Sequence, residues 1–375
     1  MGKIFMFVNV DWFFLSHRLP IALNAKNHDI EMSVYSEFTK IHDQKLINGF
    51  NFLNSPLKRS SKSIFHFFFE FIKTLKIIIK SKPNLIHAVT IKPILVLGLI
   101  SRFTSTPFIA SISGLGPAFN TDNKFNKIRL WTIIKILKFI FSRKDVSIIC
   151  QNSNDSKILS SYGIISDKKI FLIHGSGVDL NYFSPNKKKK LSEKYVLMSS
   201  RILFDKGIRE YCLAAKIVKK KLGEGIKFKL SGPLDYSSPT SISKFEINKI
   251  VSKYGVEYLD NREDMPELLA SAEIFVFPSY YPEGLPKVLL EAAACGTPII
   301  TTDHPGCRDA VINNETGILV PIKDPDALAK TIIKLISEKK IYENMKKKSR
   351  TFAETSFDVS LVVDKHYSLY RKTLR

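Results

Sequence analysis

Residues 280–298 read YYPEGLPKVLLEAAACGTP. The pattern is a strand end, a loop, a helix, a turn and the start of another strand. Pro286 suits the first turn of a helix, where its missing N–H leaves nothing unsatisfied. Gly296 suits the position just past the helix end, and Gly284 allows the backbone to approach a ligand closely. The loop presents a helix N-terminus beside a carboxylate, Glu283. Free N–H groups and the positive dipole end suit a phosphate or an anionic transition state. Glu283 precedes the helix and Glu291 lies two turns into it, so the two carboxylates reach different parts of one ligand. The plainer reading makes Glu283 a helix-start residue favoured by the dipole and Glu291 a solvated side chain. Against it, the flanks of Glu291 (Leu289, Leu290, Ala292, Ala293, Ala294) are apolar or small, and a lone charge there requires a partner.

Outward from this stretch, short β-branched runs alternate with longer amphipathic segments. Residues 195–199, 227–231, 274–278 and 298–302 read as strands, and 209–222 and 286–295 as helices. Upstream, 4–10, 30–35, 85–89, 107–111 and 147–151 read as strands, with a helix at 20–26. This is the rhythm of parallel sheets with crossover helices. Between the two series lies a polar, Pro-containing and strongly basic segment, residues 181–190 (NYFSPNKKKK), the best linker in the chain. Helices close the sequence at about 326–348 and 359–370. The 375 residues suit two domains: an N-terminal Rossmann-like domain over 1–180, a linker over 181–192, a second Rossmann-like domain over 193–355, and a C-terminal helix over 356–375 packing back on the first. Two doubly wound units place the expected ligand site in the cleft between them.

Two further loops belong to the second series. Ser200-Arg201-Ile202-Leu203-Phe204-Asp205-Lys206-Gly207 follows its first strand, where Arg201 and Lys206 can converge on a pyrophosphate, one as a bidentate fork and the other as a point charge. Alternatively the loop is solvated, as two cations in a basic chain often are. Thr301 to Asp309 follows the strand after the Glu helix, with a backbone turn at Pro305-Gly306 and with His304 read as a loop residue in preference to a catalytic base.

The formal net charge is +22, which implies attraction to something anionic: nucleic acid, a membrane surface or a phosphorylated substrate. Two segments concentrate it. Residues 57–82 set Phe65, Phe67, Phe68, Phe69 and Phe71 among Lys62, Lys73, Lys76 and Lys80. Residues 124–144 place Lys124, Lys127, Lys135 and Lys138 on one helical face, with Phe125, Ile128, Ile136 and Phe139 elsewhere. Basic amphipathic helices of this kind lie on anionic membranes; the alternative is a pair of core helices with solvated lysine faces. No zinc motif, helix-turn-helix or RNP-like aromatic run supports nucleic acid. The four cysteines (Cys150, Cys212, Cys295, Cys307) form no C-x-x-C pair and read as reduced structural residues of a cytosolic protein. No cluster has metal-ligand spacing. The N-terminus reads as a first buried strand and not as a signal peptide, and no apolar run reaches the ~18–20 residues of a membrane span.

These residues resemble the retaining GT-B glycosyltransferases of the large family 4 group. The resemblance rests on an E-x7-E motif, Glu283 to Glu291, on the Arg201…Lys206-Gly207 loop, on Gly175-Ser176-Gly177-Val178-Asp179, on the stretch from Arg262 to Leu269, and on the tail from Thr316 to Pro321. It covers nearly the whole second half. The first half matches more loosely, through Ser16-His17-Arg18-Leu19-Pro20 and Ser111-Ile112-Ser113-Gly114-Leu115-Gly116, which look like bacterial enzymes that extend lipid-linked oligosaccharides for O-antigen, capsule or glycoprotein. The resemblance implies a GT-B fold of two facing Rossmann-like domains. It implies that Arg201 and Lys206 hold the donor diphosphate, that Glu291 bonds the ribose, that Glu283 contacts the donor sugar near the reacting centre, and that backbone around Arg262 reads the base. Gly284 and Leu285 would offer N–H groups to the donor, and Arg18, Ser113 and Gly114 would stand on the acceptor side. Three departures stand out: Asn9 to Phe14 where relatives carry a Gly-rich loop, Ser113 where many carry a His, and Asp260 where a Gly often precedes the base-reading turn.

The expected protein is therefore a metal-independent, retaining hexosyltransferase without cofactor. It would take a nucleotide-sugar donor, UDP favoured over GDP, and a polyprenyl-diphosphate-linked or other saccharide acceptor. It would work in the cytoplasm, peripherally on the inner face of the cell membrane. A nucleotide-sugar epimerase of the same fold, or a non-catalytic membrane-associated partner, are the competing readings. A glycosidase would also use two carboxylates but gives Arg201 and Lys206 no phosphate to face.

Overall fold

The computed structural model describes residues 2–39, 50–59, 64–119, 123–187, 193–236 and 238–374. The chain divides into two compact units, Met1–Ser176 with Val359–Arg375, and Gly177–Asp358.

The first unit carries β1 (Gly2–Val10), α1 (Asp11–His17), α2 (Leu19–Leu23), β2 (Ile30–Glu37), β3 (Asn51–Asn54), α3 (Ile64–Ser81), β4 (Leu85–Val89), α4 (Ile91–Thr104), β5 (Phe108–Ile112), α5 (Lys124–Phe141), β6 (Val146–Cys150), α6 (Ser153–Ser161) and β7 (Ile170–Leu172). Its sheet runs β3-β2-β1-β4-β5-β6-β7 with every pair parallel. β4 (LIHAV) and β5 (FIASI) are buried at every position, as strands covered on both faces must be. One face is covered by α3, α4 and α5 through Ile78, Leu97, Ile100, Leu137 and Ile140. The other is closed by α2 and by the C-terminal helix, through Ile21, Val362, Tyr367 and Tyr370.

The second unit carries β8 (Lys194–Ser199), α7 (Ile208–Leu222), β9 (Ile226–Ser231), α8 (Lys244–Tyr254), β10 (Glu257–Tyr258), α9 (Met265–Ser271), β11 (Ile274–Phe277), α10 (Lys287–Ala294), β12 (Ile299–Thr302), β13 (Gly317–Val320), α11 (Pro325–Ser337) and α12 (Lys339–Ser356). α13 (Val359–Leu374) returns to the first unit. The second sheet runs β10-β9-β8-β11-β12-β13, all parallel. In chain order this is 3-2-1-4-5-6, the doubly wound dinucleotide-fold order, whose direction reverses between β8 and β11.

Several expected boundaries move. The division falls after Ser176, and residues 177–187 pack on the second unit where a linker from 181 was expected. Val178 donates its N–H to Phe357 O at 2.8 Å, Val178 and Phe183 are buried in the second core, and Arg350 donates to Phe183 O at 3.1 Å. Residues 188–192 of that linker, and Lys62 of the first basic segment, lie outside the described residues. The helix expected at 326–348 breaks at Glu338 into α11 and α12. The segment after β1, read as a loop, is α1: Asp11 is buried there and takes bonds from Thr39 N (2.5 Å) and Thr39 Oγ1 (2.7 Å). β3 and β7 escaped the pattern because a four-residue polar edge (NFLN) and a three-residue strand (IFL) carry too little periodicity to register.

Candidate active site

The carboxyl ends of β8 and β11 lie side by side at the switch point of the second sheet, the position where open α/β sheets bind ligands. The loop leaving β8 bends back through a short 3-10 turn, Phe204–Lys206, into Gly207, whose φ is +80°. A Cβ on Gly207 would lie 2.2 Å from Pro278 O, so only glycine lets this loop press on the end of β11. Tyr280 ties the two loops together, donating N–H to Asp205 O (3.0 Å) and its hydroxyl to Phe204 O (2.9 Å). Lys206 is consequently driven inward and is 5% exposed. Its ammonium contacts Glu283 Oε1, which also accepts from Ser279 Oγ at 3.1 Å, and it sits 4.4 Å from the centroid of the Tyr281 ring. Two of the expected residues, Lys206 and Glu283, thus form one half-buried ion pair.

Arg201 is held separately, by Asp235 Oδ2 at 2.6 Å. The loops bearing these two residues run close enough that a Cβ on Gly232 would lie 1.7 Å from Ser200 O. Both cations, expected to face a phosphate, are thus matched to carboxylates. Sequence reasoning missed Asp205, Asp235, Thr240 and Ser279. Of these, Asp205 stood inside the Arg201…Lys206 loop and was the one within reach of a local reading. Its Oδ2 accepts from Thr240 Oγ1 at 2.9 Å while Oδ1 is buried without a hydrogen bond among the described residues. Burial raises its carboxyl above the ordinary range, against the pull of Thr240 and Lys206.

The helix α10 begins at Lys287, with Pro286 extended at the cap (φ −63°, ψ 117°) and not within the first turn. Gly284 and Leu285 therefore belong to the buried approach, not to the helix start expected of them. Glu291 is not a solvated side chain. Burial raises its carboxyl, and Lys287 Nζ, one turn back at 3.6 Å, opposes the shift. Gly296 follows the helix at φ +66°. The loop after β12 locks against this approach: a Cβ on Gly306 would lie 2.5 Å from Gly284 O and 2.7 Å from Glu283 O. His304 lies in the same loop with Nδ1 buried and unbonded among the described residues, and burial lowers its pKa.

Arg262 is exposed and forks onto its neighbour Asp264, at 2.8 and 2.7 Å. Asp260 takes φ +53°, so it adopts the left-handed turn a glycine would supply. Its carbonyl accepts from Gly232 N at 2.9 Å and from Ser231 Oγ at 3.0 Å.

In the first unit, Arg18 and Ser113 meet across the carboxyl ends of β1 and β5. Arg18 is 1% exposed, donates to Ser113 Oγ at 3.4 Å and to His17 O at 3.2 Å, and burial lowers its pKa to about 10. Gly114 follows at φ +100°. Behind them, His87 bridges Ser111 Oγ and Tyr370 Oη, both at 2.7 Å.

Residues 182–352 match the family model described as glycosyl transferases group 1, and residues 3–153 match that of the glycosyl transferase 4-like domain. The chain belongs to the family 4-type GT-B glycosyltransferases. Among curated relatives it is 28% identical to the N,N'-diacetylbacillosaminyl-diphospho-undecaprenol α-1,3-N-acetylgalactosaminyltransferase of Campylobacter jejuni, over 74% of each chain. It is 28% identical to the capsular polysaccharide biosynthesis glycosyltransferase CapM of Staphylococcus aureus, over 94% of this chain and 92% of that one. It is 26% identical to the UDP-Gal:α-D-GlcNAc-diphosphoundecaprenol α-1,3-galactosyltransferase of Escherichia coli, over 80% of this chain and 78% of that one. Among solved structures, Anabaena HepE in complex with UDP and glucose superposes with a TM-score of 0.76 at 15% identity, covering 99% of this chain and 100% of that one. The chain is a glycosyltransferase; two of these relatives are named for undecaprenol-diphosphate-linked acceptors and one for capsular polysaccharide biosynthesis.

Proposed function

We propose that this glycosyltransferase moves a sugar from a UDP-sugar to a polyprenyl-diphosphate-linked saccharide, with net retention and without a metal ion, at the inner face of the cell membrane. The observation that carries the reading is the Lys206–Glu283 pair at the switch point of the second sheet, beside the tip of α10. Cleavage of the bond from C1 to the diphosphate leaves the electron pair on the phosphate oxygen and an oxocarbenium-like sugar. The acceptor hydroxyl then bonds to C1, and its proton passes to the departing diphosphate. Negative charge grows on that leaving group, so a fixed ammonium, a guanidinium and helix amides aimed at it lower the barrier selectively. In this reading Lys206 and Arg201 serve the diphosphate, Glu283 positions the donor sugar and Glu291 the ribose. Glu283 also holds the Lys206 side chain in place until the donor arrives.

Fixed cations do the work a metal ion does in other transferases, which supports metal independence. UDP is favoured because HepE, of the same fold, was solved with UDP, and the E. coli relative's name specifies UDP-Gal. Two of the relatives are named as α-1,3 transferases, and an α product from an α-configured sugar nucleotide is net retention. The test is a donor screen by nucleotide release, with bacterial membranes as acceptor source. Release of UDP that depends on membranes and disappears in Glu283→Ala is expected. Conversion of the sugar nucleotide without any acceptor would replace this reading with an epimerase.

A further inference from the structure

The outer side of the α3–α4–α5 layer is unlike the rest of the surface. Those three helices hold ten Lys or Arg and one acid, Glu70, and Glu70 is buried and paired with Lys92 at 2.8 Å. Uncompensated positive charge therefore stands on this layer. Large apolar side chains stand with it. On α3, Phe65, Phe68 and Phe69 are 79%, 61% and 63% exposed; on α5, Phe125, Ile128 and Trp131 are 73%, 65% and 62% exposed.

The sequence reading set the lysines and aromatics of α5 on different faces. The structure mixes them. Leu130, Leu137, Ile140 and Phe141 take the core side, which leaves Ile128, Trp131 and Phe139 on the same outward side as Lys124 and Lys135. Lys135 lies 5.5 Å from the Trp131 ring centroid. The patch is continuous through α4: Phe103, 71% exposed, stacks edge-on against Phe71 of α3, and Arg102 lies 4.2 Å from the Phe139 ring of α5. Exposed aromatics interleaved with lysines, without exposed acids, suit a surface that is anionic at its headgroups and apolar just beneath. A protein partner would have to present the same two layers over three helices.

We propose that the outward face of α3, α4 and α5 docks on an anionic lipid bilayer, with Phe65, Phe68, Phe69 and Trp131 entering the interface and the lysines meeting the headgroups. This deepens the reading of a lipid-linked acceptor by naming the surface that reaches it. Each lysine near such a surface is worth about fivefold in partition, so four substitutions remove on the order of several hundredfold.

The experiment uses the full chain. Sedimentation with phosphatidylcholine vesicles, with and without phosphatidylglycerol, compares the parent with K73Q/K76Q/K127Q/K135Q and with F68S/F69S/W131S. A variant with four lysines removed from the second unit, K220Q/K221Q/K339Q/K340Q, controls for net charge. Binding to anionic vesicles only, weakened by salt, lost in both face variants and retained within about tenfold in the control is expected. With Trp12→Phe, Trp131 is the remaining tryptophan of two, and its emission should shift to the blue on vesicle binding. Equal losses in control and face variants, binding to neutral vesicles, or an unshifted Trp131 would overturn the proposal. So would a dimer dispersed by F68S/F69S/W131S, since the face would then belong to a second copy. UDP binding, measured by calorimetry on the same preparations, separates the two readings. Intact UDP binding with no vesicle binding sinks this surface alone, and the reverse sinks the donor site alone.

Discussion

Replacing Lys206 with Met separates what the Lys206–Glu283 pair does for folding from what it does for catalysis. The substitution keeps length and removes charge. Lys206 is nearly buried and the Glu283 side chain is 14% exposed, so the variant leaves a largely buried carboxylate that still accepts from Ser279 Oγ. Breaking a buried pair costs about 3–5 kcal/mol. The partial exposure of Glu283 and the Ser279 bond place this case lower, at about 2–3 kcal/mol. Glu283→Gln alone strands the more buried member and should cost about 3 kcal/mol or more. The double variant removes both charges and should return to within about 1 kcal/mol of the parent. The cycle then shows a coupling of several kcal/mol, far outside the ~0.3–0.5 kcal/mol of additive sites. Turnover should behave differently. Losing one preorganised donor to the leaving group costs about 2.7–4 kcal/mol of barrier, or 10²–10³ in kcat, and the double variant does not recover it. Denaturant unfolding and UDP release, measured on all four proteins, decide the matter. Additive stabilities would mean the pair does not exist in solution. Recovery of turnover in step with stability would mean Lys206 is structural and the leaving-group argument is wrong.

Gly306→Ala should lower kcat/KM by about a hundredfold, because the new methyl meets the carbonyls of Glu283 and Gly284 at 2.7 and 2.5 Å and a displacement of about 1 Å at a reacting centre costs that much; parental kinetics would show that this loop does not hold Glu283. Acid should weaken the first unit before its surface carboxylates titrate. Burial, with nearby Arg18, lowers His366 to about 3, and burial with His366 and Arg18 lowers His87 well below its ordinary value. The unfolded chain therefore binds two protons that the folded one excludes, so stability is complete above about pH 6.5 and falls by up to ~2.7 kcal/mol per unit as pH drops below it. His366→Gln should halve that slope in urea unfolding between pH 6.5 and 5, and an unchanged slope would remove His366 from the account. Activity in excess chelator should equal that without it, whereas a loss that magnesium restores would refute metal independence.

The parts of this site that were legible in the sequence are those encoded over short spans. Glu283, Glu291 and Gly296 announce a loop, a helix and its end within nineteen residues because caps and turns are local chemistry. The pair itself was not legible, since Lys206 and Glu283 are 77 residues apart and meet only because β8 and β11 become neighbours. The carboxylate partner Asp235 could not be found either, since nothing near it repeats or caps. Asp260 shows a different failure. A glycine missing from its usual place suggested a changed turn, yet the backbone keeps φ +53°, because Asp is among the few residues that tolerate the left-handed region. Conformation persisted where composition did not.

The linker was expected at 181–192 because polarity was taken to mean solvent, and the division falls after Ser176. Residues 181–187 are polar and Pro-containing, yet Arg350 and Phe357 hold their neighbourhood to the second unit through backbone carbonyls, a bond that side-chain composition does not advertise. On α5, Ile128 and Phe139 were set apart from the lysine face, yet both stand outside, as Trp131 does. Helical phase explains it, because Leu130, Leu137, Ile140 and Phe141 already fill the inward arc and 3.6 residues per turn leave no room there for more. A helix with more apolar side chains than one face can bury must expose some of them. Here that surplus shares its side with the lysines, and the same surplus is what Trp131 fluorescence would report.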